Sequence, residues 1–225
     1  MVSRFAAGLV VLVVASSTAV GQAKTPAKNS SSTKASAASA AAPLRLIVAP
    51  TGNEARYRVR EQLVGFDLPN DAVGVTQEIT GGLLLDSKGA VVRDSSKIVV
   101  TLTSLKSDQA RRDNYVKTRT METEKFPTVE LVLTGIKGNP KPTATAPTTF
   151  ELLADLTVKG VTRPTTWKVT ARADGADIVG SASTAFTFKD FSIDQPKVRS
   201  VLSVADTIKL EYDFRFTAAT TSAQK

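Results

Sequence analysis

Apolar and polar side chains alternate one by one over three long stretches of this chain, the period of a strand with one buried face. Tyr57, Val59 and Leu63 alternate with Arg56, Arg58 and Arg60. Phe150, Leu152, Ala154, Leu156 and Val158 alternate with Glu151, Asp155, Thr157 and Lys159, and Leu153 interrupts the polar side. Ile208, Leu210, Tyr212, Phe214 and Phe216 alternate with Thr207, Lys209, Glu211, Asp213 and Arg215. A helix would scatter the charges of this last run round its circumference, whereas a strand places them all in water. Weaker alternation predicts further strands over 73–80, 82–85, 97–105, 128–136, 165–173 and 177–188. Gly81-Gly82, Ser87-Lys88-Gly89 and Asp174-Gly175 are expected to be hairpin-type turns between them. The result is an all-β chain of about eight or nine amphipathic strands. Antiparallel pairing follows, because parallel sheets need continuously apolar strands and helical crossovers. A closed barrel and a sandwich both satisfy this pattern.

One segment, 107–124, has no alternation. Ser107 followed by Asp108 is suited to capping a helix N-terminus, and Ala110, Asn114 and Lys117 fit a helix. A short helix and loop are expected there, stopped before Phe126-Pro127, with Val116 and Met121 as inward anchors.

Residues 156–169 read as two extended segments about a short turn at Lys159-Gly160, with Pro164 leading into Trp167 and Val169. Gly accepts a backbone conformation that other residues resist, and Pro biases the residue before it toward extended geometry. These residues predict a hairpin.

Composition narrows the chemistry sharply. The 225 residues contain no Cys and no His. Thiol nucleophiles, disulfides, Cys/His zinc sites, imidazole bases and a Ser-His-Asp triad are therefore excluded within this chain. Met1-Val2-Ser3-Arg4 is a short basic start, and the apolar run from Phe5 to Val14 is too short to span a bilayer. Small residues follow, and cleavage after Gly21 or after Ala23 fits a removable secretory signal over 1–23, so the mature protein is expected to be exported, periplasmic or extracellular. Residues 24–43 are almost only Ala, Ser, Thr, Lys, Asn and Pro, which predicts a flexible tether, and the Ala/Thr/Ser tail over 218–225 is expected to fray. Residues 1–43 carry four basic residues and no acids, leaving 25 basic and 21 acidic residues elsewhere. That mild excess lacks the basic face with stacking aromatics typical of nucleic-acid binders. Residues 44–217 form one expected domain, and the Pro-rich stretch 139–148 is a loop within it.

The hairpin Leu156-Thr157-Val158-Lys159-Gly160-Val161-Thr162-Arg163-Pro164 resembles the "LT-x-x-GVT-x-P" strand–turn–strand of the YceI-like family. Arg112-Asp113-Asn114-Tyr115-Val116 through Lys125-Phe126-Pro127 is similar to that family's "RD-x-H-L … KYP" insertion, and Asp206-Thr207-Ile208 to its closing "D-x-V/I" strand. The resemblance runs from about Ala55 to Phe216. It implies an eight-stranded antiparallel β-barrel, lipocalin-like, with a short helical insertion around 107–124. It further implies an interior that binds an isoprenoid-type lipid or a quinone. The chain departs from the family where Tyr115 and Lys159 replace common His positions, and where Phe188-Lys189-Asp190-Phe191-Ser192 lacks the Arg and Gly of "R-S-D-F-G". These departures alter the polar end of the expected ligand site.

The candidate apolar interior comprises Tyr57, Val59, Leu131, Leu152, Leu156, Trp167, Phe186, Phe188, Leu210, Tyr212 and Phe214. Alternation fixes only which face is inside, so these side chains can hold a lipid tail or pack on one another. Arg111, Arg112, Tyr115 and Lys117 are candidate head-group contacts, since Arg suits phosphate; they equally fit the solvated face of a short helix. A carboxylate-dependent hydrolase would have to draw on Asp155, Asp190, Asp194 or Asp206, whose spacing does not demand it. The expectation is a non-enzymatic binding protein without a cofactor. A ligand-free interaction or stress-response module is the alternative.

Overall fold

The computed structural model describes residues 42–138 and 140–219. The expected signal segment 1–23, most of the expected tether 24–43 and the last residues of the expected tail lie outside the described residues. Ten strands follow in chain order: β1 (Leu44–Val48), β2 (Glu54–Leu63), β3 (Asn70–Thr76), β4 (Ile79–Leu85), β5 (Lys97–Thr101), β6 (Thr128–Lys137), β7 (Thr148–Val158), β8 (Val161–Asp174), β9 (Asp177–Thr187) and β10 (Val201–Ala218). Every pairing between them is antiparallel. The order β1-β4-β5-β6-β7-β8-β9-β10 closes on itself, because β10 also pairs with β1 through Val48↔Phe216. β2 continues along the same edge of β10, and β3 pairs with β2. The ten segments are therefore eight staves of a closed barrel, two of them broken in the middle.

The first break has a local cause. Between β1 and β2, the Asn53 side chain replaces the lost ladder. Its Nδ2 donates to Ala49 O at 2.8 Å, and its Oδ1 accepts from Tyr212 Oη at 2.8 Å and from Arg215 N at 3.0 Å. The strand expected over 73–80 is interrupted after Thr76, and Gly81-Gly82 is not the turn that the sequence suggested. Both glycines lie inside β4. A Cβ at Gly81 would stand 2.0 Å from Lys97 O, and one at Gly82 would stand 2.5 Å from Leu46 O. Glycine here permits backbones to approach at a barrel bend rather than reverse direction. The strand expected over 97–105 ends at Thr101, where Leu102 N donates to Pro127 O and a turn buries Leu102 and Leu105.

The two-residue turn between β7 and β8 is confirmed. Lys159 and Gly160 both have positive φ, at 49° and 77°, the backbone of a tight hairpin turn matching strand twist. Gly160 has a second role, since a Cβ there would meet the Phe126 ring at 3.1 Å. Lys159 reaches back to Glu122 at 2.6 Å, and this ammonium holds the Glu122 carboxyl below its ordinary range. The hairpin is thus docked onto the insertion before β6.

That insertion contains α1 (Ala110–Tyr115), continued by a wider helical turn over Val116–Thr120. Ser107 is not its cap. Gln109 takes that position without a side-chain bond, whereas Ser107 N and Oγ both donate to Asp113 Oδ1, at 2.8 and 2.6 Å. The Ser107 hydroxyl gives its proton to the charged Asp113 carboxylate, a strong acceptor, and itself accepts only from Gln109 N at 3.2 Å. Asp113 fastens the insertion to its own entry loop and leaves the neighbouring Arg112 free to point into the barrel.

Candidate ligand cavity

One end of the barrel is filled. Tyr212, Phe214 and Phe216 form a tilted aromatic cluster with ring centroids 5.5–6.5 Å apart, and Leu133, Ala154, Val169 and Ala171 are buried with them. Gly180 admits the Phe214 ring, which would otherwise lie 2.8 Å from a Cβ. Toward the insertion the interior opens into a cavity of about 350 Å³, within the range of ligand sites.

Its wall takes inward residues from most staves: Tyr57 and Val59 of β2, Ala72 of β3, Ile98 and Val100 of β5, Leu131 of β6, Leu156 and Val158 of β7 and Trp167 of β8. Phe186 of β9 and Val204, Ile208, Leu210 and Tyr212 of β10 complete it, with Phe188 from the 3₁₀ turn Phe188–Phe191 after β9 and Ile193 just beyond that turn. Nine of the eleven interior residues expected from alternation line this space: Tyr57, Val59, Leu131, Leu156, Trp167, Phe186, Phe188, Leu210 and Tyr212. Leu152 and Phe214 do not. Both have the inward parity, but they fall at the packed end, against the core rather than the cavity.

The insertion lies over the other end. Arg112, Tyr115, Val116, Thr120 and Met121 line the cavity, and so does Arg111, which is otherwise exposed. Lys117 does not line it, because residues 112, 116 and 120 share one helical face and 117 lies off it. Sequence reasoning missed Glu61, which also lines the wall. Its signal was present: Glu61 shares the parity of Tyr57, Val59 and Leu63, an acid at an inward position. Arg112 Nη2 lies 2.5 Å from Glu61 Oε1, the two side chains being 12% and 8% exposed, and Arg112 Nη1 bonds Asp108. Arg112 is therefore held on both arms by carboxylates.

Two phenols border the cavity. Burial pushes the Tyr57 hydroxyl up to about 12, and burial likewise raises Tyr212, which donates to Asn53. The folded protein keeps both protons above the pH, about 10, where an unfolded tyrosine loses them. Their stabilisation is fully present below pH about 10 and is lost as pH rises through the folded values. Denaturant unfolding above pH 10 should show stability falling by up to about 1.4 kcal/mol per pH unit for each phenol. Tyr57→Phe and Tyr212→Phe should each flatten that slope relative to the parent, and an unchanged slope in both would contradict this assignment.

The carboxylates considered for hydrolysis are placed elsewhere. Asp155 pairs with Arg93 at 2.7 Å, and Asp190 accepts from Thr187 N at 2.7 Å and Thr187 Oγ1 at 2.8 Å. Neither these two nor Asp194 and Asp206 line the cavity. No cluster of carboxylates suited to a metal ion occurs among the described residues. No helix among them is long and apolar enough to cross a membrane.

Large apolar side chains are also exposed on one rim. Val64, Phe66 and Leu68 follow β2, and Leu202 starts β10, with exposures of 53, 65, 78 and 65%. They adjoin Leu63 and Val201 of the cavity wall, whose backbones pair.

Comparison with known proteins agrees with this architecture. The chain is 31% identical over 136 residues to a UPF0312 protein of Pseudomonas putida strain GB-1, covering 56% of this chain and 66% of that relative, just under two thirds of its length. A polyisoprenoid binding domain from Saccharophagus degradans, implicated in plant cell wall breakdown, superposes with a TM-score of 0.58 at 11% identity, over 78% of this chain and 98% of that one. BcnA of Burkholderia cenocepacia superposes with a TM-score of 0.55 at 14% identity, over 72% and 95% of the two chains. The YCEI protein of Campylobacter jejuni gives 0.53 at 14% identity, over 71% and 94%. These structures share the barrel. The family model of the YceI-like domain matches residues 48–216, three quarters of the sequence, and the chain belongs to the YceI-like family.

Proposed function

We propose that this protein is a non-enzymatic, exported binding protein that holds an isoprenoid-tailed lipid in its barrel. The observation that carries this reading is the largely apolar cavity of about 350 Å³, with Glu61, Arg112, Tyr115 and Thr120 on its wall beneath the insertion. A tail is held there by burial alone, at about 0.8 kcal/mol per methylene. About ten such groups supply roughly 8 kcal/mol, enough for micromolar binding before the costs of association. No directional partner is required along the tail, in keeping with a wall of Val, Leu, Ile and Phe. The polyisoprenoid-binding domain with the same barrel supports this choice of ligand class. The apolar rim at Val64, Phe66, Leu68 and Leu202 supports entry of a tail at that end. Export rests on the pattern from Met1 to Ala23, which suits a cleavable signal and supports a periplasmic or extracellular location.

Native mass spectrometry of protein taken from its producing cells tests the reading. The expected result is a co-extracted, organic-soluble lipid with an isoprenoid tail, at one per chain. A ligand-free mass, with no uptake of isoprenoid lipids on incubation, would sink it.

A further inference from the structure

The arginines of the insertion made the polar end of the cavity a candidate phosphate contact, and its geometry opposes one. We infer, resting on the carrier reading above, that the cavity takes an uncharged head group, an alcohol, phenol or quinone carbonyl, and discriminates against a phosphorylated one.

Arg112 is the guanidinium that the insertion carries into the barrel, with its side chain 12% exposed. Both of its arms are already engaged, one by Glu61 at 2.5 Å and the other by Asp108. A phosphate could take the arm held by Asp108, which is 69% exposed, but it would meet a guanidinium already neutralised by Glu61 on its other arm; the alternative is to displace Glu61 itself. Displacing Glu61 would leave an acid that is 8% exposed beside an incoming anion, with its counter-ion lost. Buried charges tolerate such unpairing poorly, and like charges in a low-dielectric site repel strongly. Arg111 offers no substitute, because it is solvent-exposed and its pull on an anion is screened.

Uncharged hydrogen-bonding groups remain available on the same wall. The Thr120 hydroxyl is buried and has no partner among the described residues, although Thr120 lines the cavity. A buried hydroxyl without a partner calls for one. Tyr57 lines the same cavity, and its hydroxyl keeps its proton throughout the physiological range. A phenol donor and an alcohol that can donate or accept suit a hydroxyl or a carbonyl oxygen.

The test uses the whole mature chain and two probes that share one tail, geranylgeraniol and geranylgeranyl monophosphate, with a quinone bearing the same tail as a third. The alcohol and the quinone are expected to bind at least about tenfold more tightly than the phosphate, the equivalent of about 1.4 kcal/mol. Their affinity should not vary with salt. Glu61→Gln should narrow the gap by freeing one arm of Arg112, and Thr120→Val should weaken the alcohol while leaving the phosphate unchanged. Equal binding, or tighter binding of the phosphate to the parent protein, would overturn the head-group inference and leave the carrier reading intact. Binding of none of the three would overturn the carrier reading itself, and the inference with it. The comparison on the parent protein decides even where a variant fails to fold.

Discussion

Arg112→Ala is expected to lower the stability of the barrel by about 3–5 kcal/mol, the cost of stranding a buried charge when its partner is removed. For a protein of this size that is a fall in Tm on the order of 10 °C. The reason lies in the placement of Glu61. It occupies an inward position of β2, in line with Tyr57 and Val59, and its side chain is 8% exposed. Arg112 is its ion-pair partner, and alanine would leave the carboxylate facing an apolar cavity. Surface pairs of this protein, such as Lys137 with Glu151, should matter far less, because water already solvates both members at 60% and 50% exposure. A double variant, Arg112→Ala with Glu61→Gln, removes the stranded charge and should recover more than about 1 kcal/mol of the loss. Chemical denaturation of the four proteins of the cycle checks this. A loss below about 1 kcal/mol in the single variant would mean that Glu61 is solvated, contrary to the described geometry.

Ala72→Phe is expected to reduce binding of an isoprenoid tail by at least tenfold, about 1.4 kcal/mol or more, while stability stays level or rises. Ala72 is 5% exposed, sits opposite Val59 in the β2–β3 pairing and faces the cavity. Its small side chain leaves space that a phenyl ring would occupy. Empty apolar volume weakens a fold by roughly 24 cal/mol per Å³, so filling it does not oppose folding. The same volume is what a tail would use. The two readouts therefore move apart in this variant, whereas a barrel packed solid would lose stability by about 1–3 kcal/mol on receiving the ring. A thermal melt and a binding isotherm on one preparation separate these cases.

Much of the barrel could be read in the sequence because its longest strands have one wet face. The charges Lys209, Glu211, Asp213 and Arg215 fixed the orientation of β10, and the Lys159-Gly160 turn fixed the β7–β8 pairing. Short elements were less legible. β1 is five residues beside an Ala-rich stretch, too brief for its period to stand out. Gly81-Gly82 read as a turn because a glycine needed for a turn and one needed for a close backbone approach are the same letter; only the neighbours Lys97 and Leu46, brought in by the fold, distinguish them.

The site was legible as a face but not as a space. Alternation put Leu152 and Phe214 inside along with Leu156 and Tyr212. Which of them border empty volume depends on where the aromatic cluster of β10 falls along the barrel axis, a property of three-dimensional packing. Likewise Arg112 could be nominated from the insertion, but its commitment to Glu61 joins residues 51 positions apart and has no local signature. Ser107 illustrates the same limit: its position suited a helix cap, and the carboxylate of Asp113 took it instead.

Trp167 is the only tryptophan in the chain, is 5% exposed and lines the cavity, so its fluorescence reports on the interior alone. Titration with a quinone carrying an isoprenoid tail is the most direct measurement of whether the barrel holds such a lipid. Saturable quenching of Trp167 at one quinone per chain, abolished or shifted at least tenfold in Ala72→Phe, is the predicted result. Emission that stays constant, or quenching that rises without saturation and equally in both proteins, would contradict a lipid bound inside the barrel.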